Sequence, residues 1–171
     1  MIKQTVCFTG PRPEKMMPLW NENDPELRRI KDRILLEVRS AAEEGYTRFM
    51  TGMARGIDLL AAEAVLSVKG DFPEIMLVAV IPFQAQYKQQ SWFWRKRYEN
   101  VLRQCSQAIT LQKEYTPFCL LERNRYMVDH SSRLIAVDNG AKNGGTAYTI
   151  RYAQKKELDC RIVSTVLSNN P

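Results

Sequence analysis

The chain has 171 residues, 44% hydrophobic and 26% charged, as in an ordinary globular protein with one full-sized core. Its formal net charge of +6 is a moderate basic excess that admits an anionic ligand or a nucleic acid as partner. No apolar run approaches the roughly 20 residues of a membrane helix, and a single histidine, His130, leaves little basis for a zinc site or a histidine-dependent nucleophile.

The four cysteines, Cys7, Cys105, Cys119 and Cys160, have no C-x-x-C spacing and read as reduced thiols serving as small core hydrophobes. The chain enters Thr5-Val6-Cys7-Phe8-Thr9 without a charged-then-apolar leader, so a cytoplasmic location is expected.

Residues 5–9 are apolar or β-branched, the pattern of a strand buried on both faces. Gly10-Pro11-Arg12-Pro13 ends it, each proline removing a backbone donor and stiffening the turn. Residues 14–23 read as an exposed loop whose Met16, Met17 and Trp20 either cover a pocket or pack onto the domain edge. Asp24-Pro25 is a helix start, a capping side chain followed by proline at the first helical position. Leu27, Ile30, Ile34, Val38 and Ala41 then recur at helical spacing, and Gly45 closes the helix.

A second strand at about 47–51 feeds Thr51-Gly52-Met53-Ala54-Arg55-Gly56-Ile57-Asp58, and a helix follows to near Lys69-Gly70. Residues 75–81 form an unbroken apolar strand stopped by Pro82. Trp92 to Cys105 reads as a helix with Trp94, Tyr98, Val101, Leu102 and Cys105 on one face. Its Arg95, Lys96, Arg97 and Arg103 suit a solvated face better than a nucleic-acid surface. A strand at 107–111 precedes Thr116-Pro117, a second cap-and-proline start, and a helix over 117–131. That helix places Leu120, Asn124, Met127 and Val128 together, with Asn124 either satisfied in the core or pointing into a site. Residues 134–137 are a buried strand, Asp138-Asn139-Gly140 a turn, Asn143-Gly144-Gly145-Thr146 the entry to a last helix, and Arg161–Ser164 a final strand.

This alternation predicts an α/β fold: a single Rossmann-like domain over 1–171, doubly wound, mostly parallel, with helices on both faces. For a 3-2-1-4-5 order, the switch point is expected between strand one and the strand at 107–111. The carboxyl ends of strand one, strand two and the 133–137 strand would then bring three glycine-bearing loops to one rim.

A strand, a glycine turn and a helix N-terminus in succession make an anion site, because the first helical N–H groups lack partners. Gly52 and Gly56 permit close approach to the main chain, and Arg55 offers a fork-shaped cation for phosphate. Asp58 reads as a helix cap or an acceptor for a ribose hydroxyl. Asp129 and Asp138 are further carboxylates placed near the rim, each also explained as a cap or turn residue.

The Thr51–Asp58 loop closely resembles the S-G-x-A-R-G-I-D loop of the DprA (Smf) DNA-processing proteins. Asn143–Ala153 resembles the S-G-T-x-x-T-A-x-x-A segment of the same family. From Cys7–Lys15 through Asn124–Ser131 to the final glycine loop, the chain is similar to the YpsA-like proteins of the SLOG superfamily, which includes DprA and the lonely-guy nucleotide hydrolases. A departure is Pro11, where histidine is expected in many relatives. The resemblance implies a nucleotide or nucleotide-derived ligand, ADP-ribose-like among the candidates, held by Gly10, Arg12, Gly52, Arg55, Gly144, Gly145 and Thr146, and Ala54, Gly56, Asp58, Asn124 and Asp129 are further candidate ligand-binding residues on the same loops and rim. It implies no cofactor. Single-stranded nucleic acid is the alternative partner, nucleotide hydrolysis a third reading, and self-association stays open. Against hydrolysis, the glutamate of the lonely-guy P-G-G-x-G-T-x-x-E motif aligns with Thr149, whose hydroxyl is no general base near neutral pH.

Overall fold

The computed structural model describes residues 4–165. Six strands, β1 (Thr5–Thr9), β2 (Arg48–Thr51), β3 (Met76–Ile81), β4 (Gln107–Thr110), β5 (Arg133–Asp138) and β6 (Asp159–Ser164), form one parallel sheet in the order β4-β3-β2-β1-β5-β6. Five helices connect them: α1 (Pro25–Glu43), α2 (Ile57–Val68), α3 (Trp92–Gln104), α4 (Cys119–Asp129) and α5 (Gly145–Lys155).

Strand periodicity sorts the core into two layers. Val6, Phe8, Phe49, Leu77, Ile135 and Val137 face α1, α2 and α3. Their neighbours Cys7, Met50, Val78, Val80, Leu134 and Ala136 face α4 and α5. The strands buried on both faces are therefore the continuous apolar runs of the sequence. Met16, Met17 and Trp20 pack against the first layer, so this part of the 14–23 segment lies down on the domain edge.

The switch point differs from expectation. The strand beside β1 is β5, and β4 lies at the sheet edge. The physical reason is burial. Gln107, Ala108 and Thr110 of β4 are exposed, whereas Leu134, Ile135, Ala136 and Val137 are buried as a centre position requires. The chain crosses faces after β4, not after β3.

Asp24 caps α1 as expected, its Oδ1 accepting from the Leu27 N–H at 3.0 Å, with Pro25 next. Thr116 does not cap α4. That helix begins at Cys119 behind Phe118, and the Thr116 hydroxyl instead accepts from the Gln112 side chain at 2.9 Å. Among the described residues no helix is long and apolar enough to cross a membrane.

Candidate functional site

β1 and β5 run side by side, and their following loops leave for α1 on one face and α5 on the other. A crevice must open where they part. It is a cleft of about 290 Å³ at the carboxyl rim. Thr9, Gly10, Pro11 and Arg12 bring β1's end to it, Asn139 and Asn143–Thr146 line it from the entry to α5, and Pro117, Leu120 and Leu121 form an apolar wall from the start of α4.

Two features make the cleft receptive to anions. The N-cap of α5 is Gly144, with φ 102°, so no side chain satisfies the first helical N–H groups. Arg12, Lys15 and Arg123 also line the space, against one acid, Asp58.

Lys15 and Arg123 are the two cations of the cleft that the sequence reading missed, and Arg123 is the buried one. It is 3% exposed, and its guanidinium donates through Nε to Asn124 Oδ1 at 2.8 Å and through Nη1 to the Gly52 carbonyl. A signal was available: Arg123 lies three residues after Leu120 and four before Met127, on the apolar stripe of its helix. A cation there must have a buried counterpart. Burial lowers its pKa, and Asp58 opposes that shift. Burial likewise pushes the Asp58 carboxyl up, against the pull of Arg123, the Ala54 N–H and Arg12.

Asp58 does not cap α2. Gly56 (φ 87°) holds the cap position, and Asp58 Oδ2 accepts from the Ala54 N–H at 3.3 Å, closing the loop on itself. Thr51 fixes the other end, its hydroxyl donating to the Asp58 carbonyl at 2.9 Å and accepting from the Met53 N–H at 3.2 Å. These bonds hold Met53 at φ 60°, left-handed and fully buried.

Of the twelve residues expected at the site, Gly10, Arg12, Ala54, Asp58, Asn124, Gly144, Gly145 and Thr146 come together on the cleft. Four do not. Arg55 turns away to pair with Glu14 at 2.9 Å. Gly52 makes room for Arg123: a Cβ there would sit 2.5 Å from the guanidinium. Gly56 packs against Pro13, 3.0 Å from a hypothetical Cβ. Asp129 sits at the C-terminal end of α4, on the opposite rim, where it accepts from the Tyr152 hydroxyl at 3.0 Å and pairs with Lys156 at 3.2 Å. Asp138 also serves its turn, accepting from the Gly140 N–H at 2.9 Å.

Asn124 satisfies both of its readings. It lines the cleft, and its Nδ2 donates to Thr149 Oγ1 at 3.0 Å. The Thr149 hydroxyl in turn donates to the Gly145 carbonyl at 2.8 Å. Thr149 thus braces the first turn of α5.

The family model YpsA, described as the YspA SLOG family, matches residues 6–168. The chain belongs to the YpsA SLOG family. Among similar proteins is the SPbeta prophage-derived protein YoqJ of Bacillus subtilis, 32% identical over 148 residues, spanning 79% of this chain and 86% of that one. A UPF0398 protein of Halalkalibacterium halodurans is 26% identical over 167 residues, 94% of this chain and 88% of its own. The fold also resembles DNA processing protein A from Helicobacter pylori, solved for its single-stranded DNA binding mode. The TM-score is 0.66 at 19% identity, over 99% of this chain and 68% of that one. In this YpsA-family chain Pro11 lines the cleft, so the position where the resemblance led us to expect histidine carries no imidazole here.

Proposed function

We propose that this YpsA-family chain binds a phosphate-bearing nucleotide or nucleotide derivative, of the ADP-ribose kind, in the cleft between β1 and β5. One observation carries the reading: Arg12, Lys15 and buried Arg123 meet the uncapped N-terminus of α5 in a single cleft. Phosphate oxygens fit the Gly145 and Thr146 end of the helix, and the Pro117–Leu121 wall suits a base or ribose face. The reading implies binding without turnover, since Thr149 is committed to structural hydrogen bonds and Asp58 faces Arg123. A cytoplasmic location, where nucleotides abound, agrees with four free thiols.

A second reading is single-stranded nucleic acid, favoured by the fold shared with a DNA-binding protein. The basic helix α3 gives it little support. Arg97 there is bound to Glu63 at 2.6 Å and to Glu22, and Lys96 pairs with Glu99 at 3.7 Å.

Thermal unfolding with ADP, ADP-ribose and oligo-dT separates the two. A nucleotide should raise Tm by mass action, Arg12→Ala should abolish the rise, and Arg55→Ala should keep it. A rise with oligo-dT alone, falling steeply with salt, would favour nucleic acid instead.

A further inference from the structure

The sheet ends in two edges, β4 and β6, and they are finished differently. β6 carries charge along its length. Asp159 pairs with Arg133 at 2.7 Å and with Arg161 at 2.9 Å, and the Ser164 carbonyl accepts from Arg29 at 2.6 Å. Charge on an edge strand guards it against pairing with a further chain. β4 has no such guard. From Gln104 to Gln112 the sequence contains no charged residue, no proline and no glycine. Bonding to β3 runs past both ends of the strand, from the Ser106 N–H to the Leu77 carbonyl at 2.8 Å and from the Leu111 N–H to the Ile81 carbonyl at 2.9 Å. The result is an uncharged edge over 106–111, with Gln107, Ala108 and Thr110 exposed. Its outward N–H and C=O groups form a template for another strand.

The flanking charges indicate which strand. Arg103 stands in the last turn of α3, at the amino end of β4, and Glu114 follows its carboxyl end. Both are exposed, and neither has an ion partner among the described residues. Two copies of one edge can pair about a two-fold axis only antiparallel, because the strands of a parallel pair are not equivalent. The amino end of each β4 then meets the carboxyl end of the other. Arg103 is brought toward Glu114 of the partner subunit, and the symmetry repeats the contact. Lys113 shares that end and opposes Arg103, so the attraction depends on Glu114. A neutral seam is also where two chains of net charge +6 approach with least repulsion.

We propose that this chain forms a two-fold homodimer through antiparallel pairing of β4 with β4 of a second copy, making one continuous sheet from two sets of six strands. The exposed Tyr115, beyond the carboxyl end of β4, adds apolar surface to the seam. The carboxyl rims of the two copies point in opposite directions, so both β1–β5 clefts stay open. The dimer is independent of what those clefts bind.

Sedimentation velocity of the full chain over a concentration series tests it. A dimer is expected at micromolar concentration. Ala108→Lys and Thr110→Lys set like charges along the seam and should each weaken it at least tenfold, with unchanged Tm showing that the variants fold. Arg103→Glu and Glu114→Arg should each weaken it, and the two together should restore it. Lys113→Gln should tighten it. A monomer at every concentration overturns the proposal. A dimer indifferent to the edge lysines also overturns it, because the contact then lies on another surface. A charge-exchanged double variant no tighter than its single parents overturns the antiparallel arrangement.

Discussion

Arg12 and Arg55 look equivalent in the sequence, each in a glycine-bearing loop after a strand, yet only Arg12 lines the cleft. The difference is a local competitor. Glu14 stands within reach of Arg55 and takes its guanidinium, and its carboxyl is held below the ordinary value by its own backbone hydrogen bond and by Arg55. The glycines also divide. A Cβ on Gly10 would lie 2.5 Å from the branched Cβ of Ile57, with nothing flexible to yield, so Gly10→Ala should cost about 1–3 kcal/mol in urea unfolding. At Gly52 the obstacles are the buried Arg123 guanidinium, at 2.5 Å, and the Asp58 carboxylate, at 2.6 Å. Gly52→Ala should displace both side chains, lowering the urea midpoint and weakening nucleotide affinity about tenfold in a titration of the folded variant. Unchanged affinity would mean that Arg123 does not touch the ligand.

The N-termini of α1 and α5 explain what was legible along the chain. Asp24-Pro25 announces a capped start in the sequence, and the structure keeps it. Asp24→Ala should cost about 1 kcal/mol, the usual worth of such a cap, read as a lower urea midpoint. Strand and helix positions were readable because each apolar run is local. Thr116-Pro117 carries the same signature as Asp24-Pro25, yet its hydroxyl is engaged by Gln112, a partner that local pattern does not reveal. Convergence of Gly10–Arg12 with Gly144–Thr146 was legible because a parallel sheet sets the carboxyl ends of its strands on one rim, although the expected order put the 107–111 strand, not β5, beside β1. The participation of Lys15 and Arg123, and the withdrawal of Arg55 and Asp129, depend on side-chain partners distant in sequence. The place of β4 at the edge was written in its Gln and Thr residues, where composition outweighs chain order.

Across the whole molecule, long-range ion pairs tie the sheet to its helices. Arg133, buried in β5, joins Glu44 after α1 and Asp159 of β6, at 2.6 and 2.7 Å. Arg97 joins Glu22 and Glu63 across α3, the first loop and α2. Burial opposes ionisation of Glu22 and Asp159, but their arginine donors outweigh it and hold both carboxyls below the ordinary values of 4.5 and 3.8. Glu44 is lowered mainly by Arg133. A depressed folded value means that the unfolded chain takes up protons first. The stabilisation is therefore complete above the unfolded values and is lost as pH falls through the folded ones. Urea midpoints should be flat near neutrality and drop below about pH 4.5. Arg133→Met should lower the plateau and make the acid fall shallower, while an unaltered acid limb would show that these pairs do not couple to folding.

The central claim is that a nucleotide's phosphates rest on the start of α5 between Arg12 and Arg123. Backbone amide resonances followed by ¹⁵N NMR during an ADP titration address it directly. The largest shifts should fall on Gly144, Gly145 and Thr146, with smaller ones at Arg12 and Asn124 and none at Asp129 on the opposite rim. Shifts scattered over the surface, or centred on α3 with the α5 entry silent, would contradict it.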